Sequence, residues 1–155
     1  MKKVIFVLSL GCLFILVFTS CSLVNDVVKI PSRDQYVALD IQGVTAEGAS
    51  SNETKKIIKD SNLINAFIKK VDGMKVIESK EKVAMKIKEL NEKGNYIIAL
   101  SDNEELQNGK LYYISMFNDG TFIFSVSNAK EMKFISEEAR PKLVSEIKEL
   151  LEINF

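Results

Sequence analysis

The stretch LYYISMFNDGTFIFSV, residues 111–126, decides the fold of this chain. Two runs rich in β-branched and aromatic residues flank Asn118-Asp119-Gly120, and Asp-Gly between such runs is the strongest short-range signal of a β-hairpin. Strands are expected over 111–117 and 121–126. With a two-residue turn at Asp119-Gly120, Phe117 faces Phe122, Ser115 faces Phe124 and Tyr113 faces Val126 on one side. Tyr112, Ile114, Met116 and Ile123 then share the other side. Both sides are apolar. One must be covered by helices. The other is either buried by residues 24–30 or another strand, or left open as a binding patch made of Tyr112, Ile114, Met116 and Ile123.

Downstream, residues 131–135 can add a strand. Pro141 then fits the first position of a closing helix, whose stripe is Leu143, Val144, Ile147, Leu150 and Leu151. Upstream, the apolar run YIIAL within 95–101 reads as an interior strand. Residues 81–93 suit a helix through Val83, Ile87 and Leu90, yet Val83, Met85 and Ile87 also alternate as in a strand. Helix is chosen, because Ala, Met, Lys and Glu favour it and Gly94 supplies a stop. Residues 74–79 form a short strand, and 61–72 a helix with the stripe Leu63, Ile64, Phe67, Ile68 and Val71. Asp60 or Ser61 caps that helix, and Gly73 follows it. Residues 35–44 and 54–59 read as a first hairpin. The order predicts an α+β fold: an antiparallel sheet with about three helices packed mainly on one face. The single domain is expected over 34–155.

The N-terminus has a different character. Lys2 and Lys3 precede an uncharged apolar run over 4–19, and Ser20 and Cys21 follow. That is the layout of a secretory signal, with a basic end, an apolar core and a small residue at the cut. The run is short for a membrane span, which takes about 20 residues. The tract Val17-Phe18-Thr19-Ser20-Cys21 resembles the lipobox of bacterial lipoproteins, with Phe18 where that family most often has Leu. The resemblance implies cleavage between Ser20 and Cys21 and diacylglyceryl transfer to the Cys21 thiol. Residues 1–20 are then a signal peptide, and 21–33 a lipidated cysteine and tether. Membrane attachment through Cys21 at the extracytoplasmic face of the cell membrane follows, since two acyl chains give stable anchoring. Residues 22–33, fully extended, reach about 40 Å. The tether is unusually apolar, and Val27 to Ile30 can instead dock as an edge strand. In element order the folded part loosely resembles small uncharacterised lipoproteins of Gram-positive bacteria. They share an early strand-helix unit like 55–71, a Tyr-rich hairpin like 111–126 and a closing Pro-plus-helix like 140–151.

Composition narrows the chemistry. Histidine and tryptophan are absent, and the two cysteines are Cys12 and Cys21. The folded part therefore has no thiol and is held by packing alone. Zinc sites built on His and Cys, Ser-His-Asp triads and Cys-His pairs are excluded. Without Lys2 and Lys3 the chain carries 19 basic and 21 acidic residues, a net −2, which argues against nucleic acid as the main partner. Asp102, Glu104 and Glu105 share a loop, but Leu106 and Gln107 break the EF-hand spacing. Ser61, Ser79, Lys69 and Lys80 supply the residue types of a Ser-Lys dyad without a nucleophile motif. No metal site and no cofactor are expected. The leading expectation is a non-catalytic binding module. A structural or accessory subunit of an envelope complex is the alternative, and a hydrolase lacking His and Cys the third.

Overall fold

Asn118-Asp119-Gly120, not Asp119-Gly120 alone, closes the central hairpin. The Phe117 N–H donates to the Thr121 carbonyl at 2.9 Å, and the Gly120 N–H returns a bond to the Phe117 carbonyl at 3.0 Å. Gly120 sits at φ +96°, the left-handed position of a three-residue hairpin loop. The pairs are therefore Ile114↔Phe124, Ser115↔Ile123 and Met116↔Phe122, one residue away from the register of a two-residue turn. A slip of one residue moves every side chain of a strand to the opposite face. Phe122 and Phe124 thus join Ile114 and Met116, while Ile123 joins Ser115 and Phe117.

The computed structural model of the chain describes residues 26–31, 33–44, 52–106, 109–125 and 132–155. The fold is α+β: one antiparallel sheet of eight strands with three helices among the described residues. The strands are β1 (Asp26–Val27), β2 (Ala38–Gly43), β3 (Lys55–Ile58), β4 (Lys75–Glu78), β5 (Tyr96–Ser101), β6 (Leu111–Met116), β7 (Phe122–Ser125) and β8 (Met132–Ser136). The helices are α1 (Ser61–Val71), α2 (Lys80–Ile87) and α3 (Pro141–Leu150). The strand order is β1-β4-β8-β7-β6-β5-β2-β3. Residues 81–93 resolve as helix, but α2 stops at Ile87 and turns follow to Gly94.

Helices α1 and α3 cover the first face. Ile64, Phe67, Ile68 and Val71 of α1 and Val144 and Ile147 of α3 are buried. They share one core with Leu39, Ile41, Tyr96, Ile98, Leu100, Ile114, Met116, Phe122 and Phe124. Each fully buried side chain of this size stabilises by about 1.5–3 kcal/mol relative to exposure. The local signals explain the helix ends. Asp60 Oδ1 accepts from the N–H groups of Asn62 and Leu63, at 2.7 and 3.2 Å, and Gly73 takes φ +78° beyond α1. The chain end closes the core, with the Tyr96 hydroxyl donating to the Phe155 carbonyl at 2.6 Å.

Helix α2 covers only part of the second face. Val83 packs on Phe117, Ile123 and Ile135. Lys86 reaches the hairpin tip, 2.7 Å from Asp119 Oδ2 and 4.9 Å from the centre of the Phe117 ring. Burial disfavours the Lys86 charge, but its bonds to Asp119 and Glu89 outweigh that and raise its pKa. Burial likewise works against the Asp119 carboxylate, and the bonds from Lys86 and Thr121 outweigh it, lowering its pKa.

Gly120 also fits a tight space. A Cβ there would lie 2.3 Å from the Pro141 nitrogen, and the Arg140 N–H donates to the Gly120 carbonyl at 2.8 Å. Gly120→Ala combines a left-handed residue with a backbone clash. It is expected to destabilise by more than the roughly 1–2 kcal/mol of the left-handed conformation alone, read as a lower urea midpoint.

Candidate functional site

Position 26 onward belongs to the folded domain rather than to a free tether. Asp26 pairs with Val76 and Val27 with Lys75, adding β1 to the sheet edge. The Val28 N–H donates to the Met74 carbonyl at 2.8 Å, and the Gly73 N–H donates to the Val28 carbonyl at 2.8 Å. Val28 and Ile30 are buried in the main core. Asp72, at the C-terminal cap of α1, then fastens the segment: its Oδ1 accepts from the Ile30 N–H and its Oδ2 from Arg33 Nη1, both at 3.0 Å. The apolar character of 23–30 is thereby explained for 26–30, and the expected tether of 21–33 is shortened by this docking.

This strap forms one wall of an apolar pocket of about 340 Å³. Val27, Val28 and Pro31 line it from the strap, and Tyr112 and Phe124 from the middle of the sheet. Val76 and Phe134 complete it, with Asp26, Lys29 and Ser125 also in the lining. The β7–β8 ladder carries a register shift between Phe124 and Ser125, and the Tyr113 N–H donates to Ser125 Oγ at 2.9 Å. Burial pushes the Tyr112 phenol pKa up, with the Tyr36 and Asp72 charges adding to it. Tyr112 therefore stays neutral, and Phe124, Phe134 and Val76 around it carry no charge either. The volume lies in the range of about 300–1,000 Å³ usual for small-molecule sites.

Two other concavities differ in kind. One of about 770 Å³ is polar and lined by Lys59, Asp102, Glu104 and Lys110 among others. Two of its charged groups pair with each other, Glu104 with Lys59 at 3.0 Å, and Asp102 Oδ1 accepts from the Lys110 backbone N–H at 2.7 Å. Among the described residues no group of three or more His, Cys, Asp or Glu is gathered as a metal site. The other concavity, about 390 Å³, lies on the second sheet face over Asp40, Ile97, Ala99, Leu111 and Tyr113. Asp40 Oδ2 takes Lys55 Nζ at 3.3 Å, while its buried Oδ1 has no hydrogen-bond partner among the described residues.

The sequence-predicted patch does not survive as an open face. Tyr112, Ile114, Met116 and Ile123 are all buried. The first three point into the core under α1 and α3, and Ile123 points the other way, because the loop has three residues rather than two. Only Tyr112 contributes to the pocket. The strap, Val76 and Phe134 were not anticipated as site residues; the apolar composition of 26–30 was the available signal. Ser20, Cys21 and Val126 lie outside the described residues, as does the signal segment. Protein-family models, curated proteins and solved structures offer no match to this chain.

Two substitutions test this geometry. Ile114→Asp places an unpaired carboxylate in the core and is expected to cost several kcal/mol, leaving no cooperative unfolding transition by circular dichroism. Asp72→Ala removes the acceptor of Ile30 and Arg33. It is expected to cost about 1–3 kcal/mol and to raise hydrogen exchange selectively at the Ile30 amide.

Proposed function

We propose that the protein is a membrane-anchored extracytoplasmic binding module, without catalytic activity, that holds a small apolar ligand in the pocket behind the strap. The anchor is lipid on Cys21, following the lipobox resemblance of 17–21, and the location is the outer face of the cell membrane. The observation that carries the binding reading is the pocket itself, about 340 Å³ and walled by Val27, Val28, Val76, Phe124 and Phe134. The absence of histidine from the whole chain, and of cysteine after position 21, supports a binding role over His- or Cys-based catalysis. At the polar concavity, Glu104 is already paired with Lys59 and Asp102 with the Lys110 backbone N–H.

A second reading draws on the part of the second sheet face that no described helix covers. Ile57 is 46% exposed and Tyr113 37% exposed there, beside Ile97 and Leu111. Such a surface suits an accessory subunit that docks on another envelope protein. An open sheet face beside a concavity also fits a binding module, so this surface adds a protein partner rather than replacing the pocket.

The anchor is tested by metabolic labelling. The wild-type protein is expected to take up labelled fatty acid and to lose residues 1–20 by intact mass. Cys21→Ala is expected to abolish the label and leave the precursor uncleaved. Absence of label from the wild-type protein, or retention of residues 1–20, overturns the lipoprotein reading.

A further inference from the structure

The strap ties the proposed anchor to the pocket in space. Cys21 and Asp26 are five residues apart, a span of at most about 18 Å when fully extended. One bilayer leaflet contributes roughly half of the ~30 Å hydrocarbon thickness. A domain tethered this closely keeps the strap at the headgroup level. Val27 is the strap residue that faces outward, 45% exposed and apolar, at the pocket rim. Lys29, also exposed, lines the same pocket from the same segment. An apolar interior suits a hydrocarbon tail; at the strap, the Lys29 ammonium favours an anionic head and the Asp26 carboxylate beside it opposes one.

We propose that the pocket behind the strap takes one acyl chain of a membrane phospholipid, with Lys29 meeting the headgroup phosphate. The proposal rests on the anchored reading for its geometry, and on the pocket lining for its chemistry. Val27, Val28, Pro31, Val76, Phe124 and Phe134 offer only hydrocarbon and ring surface. Tyr112 supplies a neutral phenol, and the charged groups in the lining, Asp26 and Lys29, both belong to the strap. Burial of each methylene contributes favourably, as in any apolar transfer. The phospholipid comes from the surrounding bilayer, not from the protein's own Cys21.

Photolabelling tests this. The full-length protein is purified from membranes and reconstituted in phosphatidylglycerol vesicles containing a trace of phospholipid with a diazirine in its acyl chain. After irradiation, peptide mass spectrometry is expected to place adducts on Val27, Tyr112 and Phe134. Val27→Asp, a change at an exposed rim position, is expected to fold normally and to lose the adducts at Tyr112 and Phe134. Adducts confined to residues outside the pocket overturn the proposal. So do their complete absence, as when the protein's own acyl chain fills the site, and their full retention in a folded Val27→Asp. The intact mass of the same sample separates the two readings. Pocket adducts without lipid on Cys21 support the inference and sink the anchor. Lipid on Cys21 without pocket adducts does the reverse.

Discussion

The hydrogen-bonded pair Phe117–Thr121, with Gly120 in the left-handed conformation between them, sets which side of β7 meets the core. The sheet is apolar on both faces through β6 and β7, so hydrophobic patterning cannot choose the register by itself. The loop chooses it. Asn118 is held from below, its N–H donating to Asn95 Oδ1 at 2.9 Å while Asn95 Nδ2 donates to the Glu89 carbonyl at 2.6 Å. Asp119 is held from the side by Lys86. Gly120 is held from above, its carbonyl receiving Arg140 N–H where α3 begins. Three separate parts of the chain converge on three loop residues, and α2 and α3 are both positioned by them.

That convergence explains a core without staples. No thiol follows Cys21, and the described fold is held by two packed faces of one sheet. The faces are unequal. Helices α1 and α3 bury the larger one, whereas α2 covers only the part near Phe117, Ile123 and Ile135. Helix α2 is short, buries only Val83 among its own residues, and leaves Met85 and Ile87 exposed. Its attachment leans on Lys86, whose ammonium serves both Asp119 and the Phe117 ring.

Much of the architecture was legible because each element carried its own punctuation. Asp60, Gly73 and Pro141 mark helix ends by local chemistry that needs no tertiary partner. The α+β class and the hairpins follow from such signals. The register of β6 and β7 was not legible, because Asn118 is compatible with either loop length and the deciding partners, Asn95 and Arg140, are distant in sequence. The misplacement of Ile123 traces to that one residue of slip, whereas the patch is closed because α1 and α3 cover the face that Tyr112, Ile114 and Met116 share. The pocket is partly legible in the sequence, through Tyr112 in the hairpin and the apolar residues of the tether that suit an edge strand. Val76 and Phe134 are not, since their place beside the strap depends on β1 and β8 both pairing with β4, a long-range choice.

The strap is where fold and proposed function meet. It begins with β1, an edge strand with two paired residues, and edge elements with few bonds open at lower free energy than the sheet interior. A pull along the chain from position 21 therefore acts on β1 before it reaches the core. Asp72 opposes it, because its two carboxylate oxygens hold Ile30 and Arg33 from a helix cap that is itself packed on the sheet. A chain occupying the pocket opposes it further, since any ligand that binds only the closed form stabilises that form by mass action. Under the proposed reading, anchor and ligand would be linked thermodynamically through six residues: opening the strap would expose Val28 and release the ligand, and filling the pocket would keep the domain seated close to the bilayer.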